Sequence, residues 1–184
     1  MNFKYIFLII ITFIFFVFLG IYIFVERPGL IESSLSSFGD GLFSIQALPD
    51  GWHFLESKNV LHKDSDIEFM SDDQHAFGIV IAENLERSLS EETIRKLILT
   101  HPQSKLVNFM LHHEEVRQDK EKKVHHIIYS GDYEGKRYKY AAWYIVDRTF
   151  LYQIITWSLE NNFEKYLDSF QKIFDNFSVL KQGT

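Results

Sequence analysis

The chain reads as an α+β protein: an N-terminal transmembrane helix followed by an antiparallel β-sheet domain packed by two main helices. Three patterns predict this. Residues 5 to 25 run for 21 positions without a charge, residues 106 to 159 hold four β-prone runs joined by short polar links, and two further stretches repeat apolar residues at helical spacing.

The run Tyr5 to Val25 would be about 31 Å long as a helix, matching the roughly 30 Å hydrocarbon core of a bilayer. A spanning helix satisfies its own amides in lipid, and Tyr5 and Tyr22 lie near its ends, where amphipathic rings prefer the interface. A cleaved signal peptide is disfavoured, because its apolar core is usually about 7 to 15 residues and ends at a small-x-small site. With no cysteine, a lipid anchor on that residue is excluded, and so are disulfides and thiolate metal sites. Lys4 precedes the run while Glu26, Arg27, Glu32 and Asp40 follow it, so the positive-inside rule predicts a cytoplasmic N-terminus. The expected organisation is a 1–25 anchor in a bacterial inner membrane, a 26–41 tether rich in Ser, Gly and Pro, and a single extracytoplasmic domain over 42–184. The net charge of −6 falls in that domain and argues against nucleic acid as a partner.

Leu42 to Ala47 and Trp52 to Ser57 are expected strands, and Pro49-Asp50-Gly51 between them has turn chemistry, so the domain is expected to open with a hairpin. Asp66 to Met70 and Phe77 to Ala82 follow as strands. Ser88-Leu89-Ser90-Glu91 fits a capping box, with Ile94, Leu97 and Ile98 at helical spacing and Pro102 as the expected stop. Next come Leu106 to Gln118, Lys123 to Tyr133, Arg137 to Val146 and Phe150 to Leu159, an expected antiparallel meander. Phe163, Leu167, Phe170 and Phe174 form one apolar stripe of a last helix, with Asn161 or Asn162 as its cap, and Phe177 to Leu180 is a short closing strand.

The opening Phe43-Ser44-Ile45, then Leu48-Pro49-Asp50-Gly51-Trp52, the middle helix, the meander, and the closing pattern Phe163, Tyr166, Phe170, Phe174 and Phe177 resemble the PsbP-like fold, shared by bacterial DcrB-like proteins. The resemblance covers nearly all of residues 42 to 181, on core and turn positions. It implies a docking module, since that fold serves as an extrinsic photosystem II subunit in one lineage and binds the Ran GTPase in another. It supplies no catalytic residue, and the chain departs from lipoprotein relatives in lacking their lipidated cysteine.

Histidine supplies the one candidate metal centre. If the loop of the first meander hairpin is centred on Lys120-Glu121, residues whose numbers sum to 241 face each other, which sets Glu115 opposite His126 and His113 diagonal to it. Opposed side chains are about 5 Å apart and diagonal ones about 7 to 8 Å, so the three residues share a face and suit a divalent cation. The plainer reading, a polar solvent face, is preferred, because a slip of one residue destroys the site. Tyr138, Tyr140 and Tyr144 alternate onto one face of the third meander strand; a core role is favoured over a docking patch. No G-x-S-x-G elbow, phosphate-binding loop or zincin pair of histidines is present, and no cofactor is expected. These features predict a membrane-anchored, non-enzymatic accessory module that docks onto a larger envelope or membrane-protein assembly. The alternative is a ligand- or metal-sensing extracytoplasmic domain.

Overall fold

The four meander runs form the body of a seven-stranded antiparallel sheet in the computed structural model, which describes residues 36–38, 41–57, 59–119 and 122–180. The expected anchor and most of the tether lie outside those residues. Among the described residues no helix is long and apolar enough to cross a membrane.

The strands are β1 (Ser36–Phe38), β2 (Phe43–Ile45), β3 (Trp52–Phe54), β4 (Ile67–Ser71), β5 (Ala76–Asn84), β6 (Val107–Asp119), β7 (Lys122–Tyr133), β8 (Lys136–Asp147), β9 (Phe150–Leu159) and β10 (Phe177–Val179). The helices are α1 (Glu91–Lys105) and α2 (Phe163–Asp175), the latter entered through a 3-10 turn at Glu160–Asn162. The large sheet has the order β3-β4-β5-β9-β8-β7-β6, and a smaller one has the order β1-β2-β10. The β7–β8 hairpin closes as its loop requires: Glu134 and Gly135 both take positive φ, 50° and 77°, as a two-residue turn of type I′ needs between Tyr133 and Lys136.

β8 is covered on both faces. Ala141, Trp143 and Ile145 face the α2 side, where they join Phe43, Phe69, Val80, Ile154, Phe163, Phe170 and Ile173 in the main core. Ala142 and Tyr144 point the other way, to a smaller cluster with Ile94 and Ile98 of α1. The aromatic stripe of α2 fills the first layer, with Phe163, Phe170 and Ile173 nearly inaccessible. Gly78 allows this packing: its absent Cβ leaves room for the Phe69 ring, which a Cβ would meet at 2.1 Å.

Three local expectations are corrected. β2 and β3 are not a hairpin: β2 pairs with β1 and β10, with Phe43 stacked on Phe177 at 5.3 Å, while β3 pairs with β4 in the large sheet. The turn between them is present, with Trp52 N–H donating to Pro49 O at 3.1 Å and Gly51 at φ +77°, but it carries the chain from one sheet to the other. The cap of α1 is Ser90, not Ser88; its hydroxyl accepts from Thr93 N–H at 3.2 Å. That shift puts Leu89 and Ile94 at the two positions of a hydrophobic staple, and both pack in the α1-side cluster. Pro102 does not stop the helix. Its ring is buried, the helix runs to Lys105, and Pro102 O still accepts from Leu106 N–H at 3.0 Å, so one missing donor is tolerated near the helix end.

Candidate functional site

The β6–β7 pairing has the register expected from a loop at 120–121. Glu115 faces His126, Val116 faces His125 and Arg117 faces Val124. His113 faces Ile128 and lies diagonal to His126. A bulge between Leu111 and His113 takes His112 out of the ladder, and its ring hydrogen-bonds the Ser130 hydroxyl at 2.7 Å.

His113, Glu115 and His126 therefore converge, each offering one ligand atom within 4.8 Å of the others. His113 Nε2 is 3.6 Å from a Glu115 oxygen, and the two histidine ring centres are 5.4 Å apart. His126 is held by stacking: its ring lies parallel to Trp143 at 4.7 Å, and Trp143 in turn stacks on Phe174 of α2 at 5.2 Å. Arg117 sits over the Phe174 ring, 5.1 Å from its centre. Burial pushes the His126 imidazole down to about 4, with nearby His113 and Arg117 acting in the same direction and Glu115 opposing. The ring is thus neutral at neutral pH. Its Nε2 is buried without a hydrogen-bond partner among the described residues.

The opposite face of the same hairpin is structural. Glu114 accepts two bonds from the Arg95 guanidinium, at 2.5 and 2.7 Å, and Glu91 pairs with Lys123, so α1 is clasped to β6 and β7. His125 is buried in that layer, and burial lowers its pKa.

The tyrosines divide. Tyr144 is 3% exposed and belongs to the α1-side cluster, whereas Tyr138 and Tyr140 are half-buried. Tyr140 is one rung of an aromatic row across the sheet that sequence reasoning did not assemble. Phe109 lies tilted against Tyr129 at 5.5 Å, Tyr129 stacks on Tyr140 at 4.8 Å, Tyr140 meets Trp157 at 6.2 Å, and Trp157 stacks on Phe77 at 5.9 Å. Except for buried Tyr129, these rings are partly open.

Two carboxylates were also missed. Glu68 is 4% exposed and accepts from the amides of Val60, Leu61 and His62 and from the Ser65 hydroxyl at 2.6 to 3.0 Å. Burial works to raise its pKa, but the Ser65 and backbone bonds outweigh burial and hold it below the usual value. Asp73 accepts from Lys165 at 2.7 Å and from the Tyr166 hydroxyl at 2.5 Å, tying the β4–β5 turn to α2. A polar residue inside the alternating strand Ile67-Glu68-Phe69 was the available signal for Glu68; no sequence pattern links Asp73 to a helix 92 residues away.

This arrangement of sheet and helices recurs in solved structures. A solution structure of cyanobacterial PsbP (CyanoP) from Synechocystis superposes with a TM-score of 0.55 at 16% identity, over 84% of this chain and 97% of that one. The fold is PsbP-like. LpqN of Mycobacterium tuberculosis, described as involved in cell envelope biogenesis, matches with a TM-score of 0.59 at 13% identity, over 85% of this chain and 88% of that one. The Ran-binding protein Mog1p of Saccharomyces cerevisiae matches with a TM-score of 0.55 at 8% identity, over 80% of this chain and 95% of that one. No protein-family model matches the chain, and no curated protein matches it by sequence.

Proposed function

We propose that this protein is a membrane-anchored binding module whose PsbP-like domain docks, through its aromatic row, onto an extracytoplasmic segment of a larger membrane-protein assembly. The row carries the proposal. Phe109, Tyr140, Trp157 and Phe77 lie on the α1 face of five adjacent strands with Tyr129 among them, and Tyr138 flanks Tyr140 at 6.5 Å. Rigid, half-open aromatic rings supply contact area at little entropic cost, which is why such rings are enriched in protein interfaces. The wider fold group supports binding over catalysis by analogy, since one structural neighbour is described as Ran-binding and another as serving envelope biogenesis. The anchor is the uncharged 5–25 run, and the extracytoplasmic placement follows from Lys4 preceding it.

The test is a photo-crosslinking amino acid at Tyr138 in the full-length protein in its native membrane, with the same group at exposed Lys96 on α1 as control. A discrete adduct with one membrane protein from position 138, absent from position 96 and lost on removal of residues 1 to 25, is the expected result. No adduct from position 138 in the anchored protein overturns the docking surface, and recovery of the full-length protein in a carbonate-washed soluble fraction overturns the anchor.

A further inference from the structure

We propose that His113, Glu115 and His126 bind a divalent cation of the zinc class, each through one atom, with a fourth position open to water. This goes beyond the docking reading and does not depend on it, since every ligand comes from the β6–β7 hairpin of one chain.

The donor set decides the class of metal. Two imidazoles and a carboxylate, with no thiolate, suit zinc and its borderline neighbours cobalt and nickel better than calcium or magnesium, which take oxygen shells. Metal–ligand bonds of about 2.0 to 2.2 Å in a tetrahedron put ligand atoms roughly 3.4 Å apart. His113 and Glu115 are already at 3.6 Å, and the remaining separations, all within 4.8 Å, close by side-chain rotation. That rotation is available because the His113 and Glu115 side chains are 47% and 50% exposed.

The three residues are also placed differently, as a site requires. His126 is fixed on the Trp143–Phe174 stack and supplies a rigid donor, while the two exposed ligands adjust to the ion. Arg117 is the opposing charge; its guanidinium is drawn onto the Phe174 ring, and the Glu115 carboxylate supplies a compensating negative charge to the ion. Because β6 is the edge of the seven-stranded sheet, a cation bridging it to β7 clamps an edge strand to its neighbour. Binding should therefore raise the melting temperature as well as saturate.

The experiment uses the full-length protein in detergent, purified without a polyhistidine tag and stripped with chelator, then titrated with Zn2+ and with Co2+. One equivalent of Zn2+ should bind and raise the melting temperature, and Co2+ should quench Trp143, whose ring stacks on a ligand. Glu115→Gln and His113→Asn, at positions 50% and 47% exposed, should each weaken binding at least about tenfold and shift the quench to correspondingly higher Co2+. His53→Gln, on β3 at the far edge of the sheet, should leave the titration unchanged. Saturation with the same affinity in Glu115→Gln and His113→Asn, or no saturable binding in the parent protein, overturns the proposal.

Discussion

On the α2 side of the large sheet, eighteen buried residues form one cluster that includes Phe69, Trp143, Phe163, Phe170 and Phe174 and extends to the small sheet through Phe43, Ile45 and Phe177. On the α1 side the buried cluster has seven members, and it leaves Tyr140 and Phe109 only partly covered at its margin. The cause is in the two helices. α2 turns five large apolar side chains to the sheet within 13 residues, whereas α1 buries only Ile94, Ile98 and Pro102 across 15 and is otherwise clasped by ion pairs. A thick aromatic layer fixes the fold. A thin layer leaves part of the sheet surface open.

Mutations should separate the two faces. Phe170→Ala, at a site with no accessible surface, should cost roughly 3 to 5 kcal/mol in chemical denaturation, because the surrounding rings cannot collapse into the gap. Ile98→Ala on the thin side should cost about 2 to 3 kcal/mol, the low end for such a truncation, since a helix held by exposed pairs can relax. Equal losses would show the α1 layer to be as rigid as the other.

Glu68→Gln should cost about 2 kcal/mol at neutral pH, because an amide cannot accept from three backbone donors and a hydroxyl together. Its folded pKa lies below the unfolded value of 4.5, so the stabilisation is complete above that value and is lost as pH falls through the carboxylate range. The parent protein should lose stability more steeply than the variant between roughly pH 5 and pH 3; parallel curves would refute the role given to the carboxylate. Trp157→Ala should have the smallest effect on stability, about 1 kcal/mol or less, because its ring is half-open. The same change should remove the crosslink from position 138, and an undiminished crosslink would place the docking surface elsewhere.

Much of this architecture is legible from local pattern. The meander strands lie within a residue or two of their expected bounds, because alternating β-prone runs between polar links have few other ways to pair. The stripe of α2 and the two-faced burial of β8 follow from periodicity in the same way. The convergence of His113, Glu115 and His126 was legible only because a short hairpin loop sets its own register.

Local pattern failed where partners are distant in sequence. Nothing in Phe43-Ser44-Ile45 says that its partner is Phe177-Ser178-Val179 rather than the strand after the next turn, so the second sheet and the crossing between sheets are tertiary facts. The aromatic row is of the same kind, since Phe77 and Trp157 meet only once β9 returns to pair with β5. Local pattern carries most of the elements, the meander and the convergence of His113, Glu115 and His126, all of which depend on residues near one another along the chain. Which face is thick, which rings stay open and which carboxylates are tied down follow instead from long-range pairing, because those features depend on what it brings alongside them.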